Sequence, residues 1–159
     1  MKKGYLKIAI FLMIFVQGIY LFKQSYGLGI SLTPSLPYYV FIINKKDLDF
    51  KKDDLIVFKY PGENIYSYKK DEQFVKIVSC FPNDNLTVNE NYEYFCNGKS
   101  IGKAPLKDGR GIELQHFIFN GIIPENKYFV IGTHPKSWDS KYWGFVSKER
   151  IIATAKGLI

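Results

Sequence analysis

The sequence predicts a mainly β domain carried behind one N-terminal apolar helix. Three observations lead there. Ile8–Phe22 is an apolar run interrupted only by Gln17 and Gly18. After residue 24 apolar positions recur mostly with period two rather than 3.6. Aromatic residues make up 17% of the chain, with 12 Tyr and 13 Phe, a composition that suits pleated, half-buried surfaces. At 159 residues a single folded domain is the default, and 47% hydrophobic content supplies a core and excludes disordered or low-complexity classes.

Counted from Gly4, the apolar run is long enough to cross a hydrocarbon layer of ~30 Å at about 1.5 Å per residue. Lys2, Lys3 and Lys7 precede it and Lys23 alone follows, so the positive-inside rule places the N-terminus in the cytoplasm. A cleaved signal peptide has the same charged and apolar regions, but requires a small-x-small cleavage site. The FKQSYGLG sequence that follows is a poor match. The expected division is a membrane anchor over 1–24 and an exported β domain over 25–159, without internal repeat or linker. Expected strands are Tyr38–Asn44, Leu55–Tyr60, Gln73–Cys80, a hairpin of Leu86–Phe95 with Lys99–Ile101 about Asn97-Gly98, and then His116–Asn120, Tyr128–Ile131 and Arg150–Thr154. Asn-Gly is a strong hairpin signal. No segment after residue 24 has an amphipathic helical pattern.

Two cysteines and two histidines are too few for a zinc site, so no metal is expected. The net charge of +7 is scattered, with no lysine run longer than a pair. That is no basic stripe, and nucleic acid is not an expected partner. In an exported domain Cys80 and Cys96 are expected to pair, which contributes ~3 kcal/mol in the chain-entropy model. The alternative is two buried thiols.

No Gly-rich phosphate loop and no His-x-x-x-His occurs, and a Ser-His-Asp triad is not signposted by His116 and His134. A serine can also be activated by a lysine, provided burial disfavours the ammonium. Lys76 is the lysine set inside an apolar strand, in Phe74-Val-Lys-Ile-Val78, sharing a face with Phe74 and Val78. An edge strand with one protective charge has the same pattern. Ser35 lies in Thr33-Pro-Ser-Leu-Pro37, where two prolines restrict the backbone; a Pro-rich linker reads the same way. The block Gly132–Gly144 gathers Ser137, Asp139, Ser140 and Lys141 around Trp138 and Trp143, as a polar network or a surface loop.

The three blocks, in this order behind an apolar anchor, resemble the type I signal peptidases, membrane-anchored serine proteases with a Ser–Lys dyad. Thr33–Pro37 is similar to their nucleophile box, Phe74–Asp84 to their lysine box, and Asp139-Ser-Lys-Tyr-Trp-Gly144 to their last box with Lys141 in place of arginine. Asp53 and Asn83 stand where the family usually has glycine. Ile77 replaces the arginine after the lysine, and Thr133 replaces an acidic residue. The short stretch between boxes leaves little room for the large extra β domain of housekeeping leader peptidases. The run His134-Pro-Lys-Ser-Trp-Asp-Ser140 resembles the conjugative-transfer, TraF-type branch, which matures the pilin of conjugation or type IV secretion systems and in some members cyclises it.

The resemblance implies a curled antiparallel signal-peptidase-like β-sheet and a single-pass protein of the bacterial inner membrane with its catalytic domain in the periplasm. It implies Ser35 as nucleophile and Lys76 as general base, with no organic cofactor. The oxyanion hole would use the Ser35 backbone N–H and the Thr33 hydroxyl. Ser137 would orient the Lys76 amine, and Asp139 with Lys141 would hold the last loop. Leu36, Phe74 and Gly132 would form the substrate surface, bound by an extended precursor with small residues before the cut. The substrate would be an exported precursor, in the TraF-type reading a pilin. A general leader peptidase and an inactive scaffold of a secretion complex are the other readings.

Overall fold

The computed structural model describes residues 2–63, 65 and 68–158. Met1 and Ile159, the outermost residues of the two expected segments, lie outside the described residues. Helix α1 (Lys2–Ser25) contains a 22-residue stretch, Gly4–Ser25, long and apolar enough to cross a membrane. Its apolar side chains are exposed along the whole stretch, as a helix apolar all round requires an apolar surrounding. The helix runs without a loop into β1 (Tyr26–Ile30).

Ten further strands follow: β2 (Val40–Asn44), β3 (Leu55–Lys59), β4 (Gln73–Cys80), β5 (Asn85–Val88), β6 (Glu93–Cys96), β7 (Lys99–Lys103), β8 (Gly121–Ile122), β9 (Lys127–Ile131), β10 (Val146–Ser147) and β11 (Ile151–Gly157). A short helix α2 (Ser140–Trp143) precedes β10. The strands form two antiparallel sheets, ordered β1-β2-β11-β3-β4-β9-β10 and β7-β6-β5-β8. The strand alternation predicted in the sequence corresponds to β2, β3, β4, β9 and β11. The strand expected at His116–Asn120 does not form. Phe117 instead donates its N–H to the Lys141 carbonyl, and Asn120 accepts from the Val88 N–H through its side chain. The chain thereby clasps the α2 loop and reaches the sheet only at β8. The helical turn α2 contradicts the helix-free expectation. Four residues are too few to display a period, but Asp139 caps it by accepting from Lys141 N–H.

Asp53 and Asn83, the two departures from glycine, both hold left-handed backbone, with φ of 71° and 69°. These are among the few non-glycine residues that occupy that region at small cost. They make the turns on either side of β4's partners: Asp53 N–H bonds the Val78 carbonyl, and Asn83 N–H the Ile123 carbonyl.

Ile56, Phe58, Val78, Val130 and Val146 form one buried cluster on the larger sheet. A second, with Leu86, Tyr94, Ile123 and Phe129, fills the space under the smaller sheet. Cys80 at the end of β4 and Cys96 at the end of β6 are disulfide-bonded in the structure, with Cα atoms 5.9 Å apart, and tie the two sheets together.

Candidate active site

The site is built around Gly132, where three distant stretches of chain meet. Strand β4 lies between β3 and β9, so Lys76 is on an interior strand and the edge-strand reading fails. Antiparallel pairing of Ile77 with Ile131 brings the next residue of β9's exit, Gly132, level with Lys76. The Ser35 carbonyl accepts from the Thr133 N–H at 2.9 Å and the His134 N–H at 3.3 Å. A side chain on Gly132 would collide with Ser137 Oγ and stand 2.5 Å from the Ser35 carbonyl oxygen. Only glycine lets the nucleophile turn and the last loop approach this closely. Gly132→Ala is therefore expected to destabilise the fold, read by thermal melting, and, on the resemblance to signal peptidases, to lower peptide cleavage at least tenfold.

Ser35 is held rather than loose, which removes the linker reading. It is 8% exposed, and Leu36 beside it is buried against Phe41 and Leu55. Leu36 is thus a core residue and not part of the cleft surface expected of it. Ser35 Oγ shares a hydrogen bond with Thr33 Oγ1 at 3.1 Å. Its N–H is folded back onto the Thr33 carbonyl at 2.8 Å, a three-residue turn that suits the fixed φ of Pro34. The expected oxyanion donor is consequently engaged within its own turn in this state. The Ser31 hydroxyl also donates to the Thr33 carbonyl, at 2.8 Å.

Lys76 is 4% exposed. Its ammonium stands 5.8 Å from the centre of the Phe74 ring. Burial lowers its pKa to about 8; the Asp139 carboxylate opposes that shift and the Lys141 ammonium adds to it. Ser35, Thr33, Phe74, Val75 and Lys76 line one cleft of about 260 Å³, together with Tyr68, Glu72 and Trp138. No hydrogen bond joins Ser35 Oγ to Lys76 Nζ among the described residues; such catalytic bonds commonly tighten only around substrate.

The last block divides: residues 133–136 are exposed as in a surface loop, whereas Ser137 is buried and Asp139, Ser140 and Lys141 form an interior network. Asp139 is fully buried and accepts from Gly132 N–H at 3.0 Å, from Lys141 N–H at 3.2 Å and from Lys141 Nζ at 2.8 Å. Ser140 Oγ accepts from Val130 N–H. The Lys141 carbonyl is in turn bonded by Tyr94 OH and Phe117 N–H. Asp139→Asn leaves the Lys141 ammonium buried without its counter-charge, and is expected to cost roughly 3–5 kcal/mol in denaturant unfolding. Combining Asp139→Asn with Lys141→Met in one chain is expected to restore much of that loss. Ser137 differs from its expected role. Its hydroxyl is buried without a hydrogen-bond partner among the described residues, and it packs on Gly132 rather than bonding the Lys76 amine.

Sequence reasoning missed Tyr68 and Glu72 as cleft residues. They sit just before β4, and the only signal was a Tyr-rich segment after the Pro61-Gly62 turn. His116 is structural: its ring lies against Tyr92 and Tyr142 and bonds the Pro105 carbonyl.

The chain is thus an antiparallel β protein behind one apolar helix, with a hydroxyl on a rigid turn and a buried amine facing a common cleft. The family model described as "Signal peptidase, peptidase S26" matches residues 2–159, and the chain belongs to that family. Signal peptidase I of Bacillus caldolyticus is 29% identical over 149 residues, covering 84% of this chain and 77% of that one. A probable signal peptidase I-2 of Synechocystis sp. is 26% identical over 109 residues, 67% of this chain. That match spans 47% of the Synechocystis protein, about half its length. A crystal structure of a signal peptidase I from Enterococcus faecalis V583 aligns with a TM-score of 0.45 and 22% identity, covering 67% of this chain and 96% of that one.

Proposed function

We propose that the protein is a membrane-anchored serine endopeptidase that cuts exported precursors, with residues 1–24 as the anchor and 25–159 as the catalytic domain. The observation that carries this reading is the buried Lys76 facing the same cleft as Ser35. Neutral Lys76 takes the Ser35 proton as Ser35 Oγ attacks the scissile carbonyl. The proton passes to the leaving amine, and an acyl-enzyme remains on Ser35. A water, deprotonated by Lys76, then releases the product acid. Thr33 Oγ1 is the oxyanion donor already beside the nucleophile. The Ser35 N–H becomes the second when the turn about Pro34 opens; one such donor is typically worth ~2.7–4 kcal/mol.

The finer reading is that the precursor is a pilin of a conjugation or type IV secretion system and that the protein sits in the bacterial inner membrane with its domain in the periplasm. The run His134–Ser140 supports it. An amine held near the acyl-enzyme would replace water and join the product head to tail. The test is mass spectrometry of a co-expressed candidate pilin precursor, with wild type and with Ser35→Ala. A trimmed product with wild type alone supports the peptidase, and a further loss of one water marks cyclisation. Equal processing of several unrelated preproteins would instead favour a general leader peptidase.

A further inference from the structure

The cleft that holds Ser35 and Lys76 is bounded by Tyr68 and Trp138. Tyr68 and Trp138 also line a second cavity of about 490 Å³ on the far side. Its wall is rigid. Trp138 stacks on Tyr68 (centroids 6.4 Å apart, planes 7° apart) and on Tyr142 (4.8 Å, 14°), and its indole N–H bonds the Tyr60 hydroxyl at 3.1 Å. The rim is cationic, with Lys107, Arg110 and Lys136 against the single carboxylate of Asp108. That carboxylate is already taken up by the Arg110 guanidinium and by the N–H groups of Arg110 and Ile112. Glu113 pairs with Lys107 in a short β-bridge but does not line the cavity. Lys107 and Lys136 are exposed at its mouth.

We propose that this cavity is a specificity subsite for an acidic side chain of the precursor. The inference rests on the endopeptidase reading and extends it. The two cavities share Tyr68 and Trp138, and an extended chain advances ~3.3 Å per residue, so a substrate in the first cleft reaches the second within a few residues of its cut bond. Its carboxylate meets Lys107 and Lys136, while its aliphatic stem lies on the stacked rings. Exposed pairs of this kind are individually weak and screened by salt. Two of them correspond to a preference of roughly two- to thirtyfold for Asp over Ala at that position.

The experiment uses the full-length protein in detergent and peptides with one common cut site. Asp, Ala or Lys is walked through positions two to five on each side, and kcat/KM is measured at low salt and at about 0.5 M salt. The expected result is one position at which Asp exceeds Ala and Ala exceeds Lys, with the ratio shrinking in high salt. In the variant carrying Lys107→Glu and Lys136→Glu the order reverses at that same position. Binding of the same peptides to the Ser35→Ala protein, followed by tryptophan fluorescence, is expected to show the same order. Cleavage with equal rates for all three residues at every position overturns the subsite and leaves the endopeptidase intact. A preference that persists unchanged in the charge-reversed variant also overturns it. If wild type cuts none of the peptides and none of the preproteins, the endopeptidase reading falls and the subsite with it.

Discussion

Ser35→Ala is expected to lower precursor cleavage by roughly 10⁴- to 10⁶-fold while leaving the fold in place. Loss of an activated nucleophile removes the covalent route entirely, and what remains is binding and electrostatic help. The side chain contributes little to packing, since its one side-chain hydrogen bond is to Thr33 Oγ1. Its backbone carbonyl, bonded by Thr133 and His134, stays in the alanine variant. Circular dichroism and the melting temperature should therefore match wild type. Rapid cleavage by this variant would remove Ser35 from the mechanism.

The second large effect concerns Lys76 and pH. With a pKa of about 8, most of the amine is protonated at pH 7, and kcat/KM is expected to rise about tenfold per unit up to pH 8 and level off above it. A rate that is flat between about pH 5 and 9 would exclude a lysine base. The same shift has a stability counterpart. The folded value lies below the unfolded value of 10.5, so between about pH 8 and 10.5 the unfolded chain binds the extra proton. Stability then rises with pH across that window, and below it the folded state carries the whole penalty of a buried ammonium. That penalty is roughly 3 kcal/mol from the size of the shift. Lys76→Met, which removes the charge and keeps the bulk, is thus expected to abolish cleavage yet to melt at a higher temperature than wild type at pH 6–7. The gain should fade towards pH 10.5. An enzyme that gains stability by losing its base is a direct reading of a strained functional site.

The parts legible from sequence were those that repeat or that depend on residue type. Alternation in VFIIN, LIVFK, QFVKIVSC and KYFVI marks strands because one face of each is buried. β1 was not legible: in YGLGI two glycines erase the pattern. His116–Asn120 alternates like a strand, but its polar groups are satisfied by Lys141 and Val88 rather than by a ladder along its length. Around the cleft, Ser35 and Lys76 stand out in the sequence because a lysine inside an apolar strand and a Pro-flanked serine are unusual in themselves. Leu36 and Ser137 are placed differently from expectation because their roles depend on direction. One bond rotation decides between core and cleft, or between turn and oxyanion hole, and spacing along the chain does not carry that information. In the Tyr68–Trp138–Tyr142 stack, Trp138 and Tyr142 are four residues apart, but Tyr68 comes from a distant stretch of chain and had no local signature.

The seamless junction of α1 and β1 sets a length. Ser25 closes the helix, its carbonyl is bonded by Lys45 N–H, and Tyr26 already pairs with Asn44. The far end of the same strand, Gly29 and Ile30, is a wall of the catalytic cleft. With α1 in a bilayer, as proposed, the cleft is leashed by five strand residues, about 17 Å at ~3.4 Å each, with no slack in the tether. Such a protein works as a ruler. On the proposed reading the membrane surface is its zero mark, and the bond cut would be the one that a precursor presents at that height.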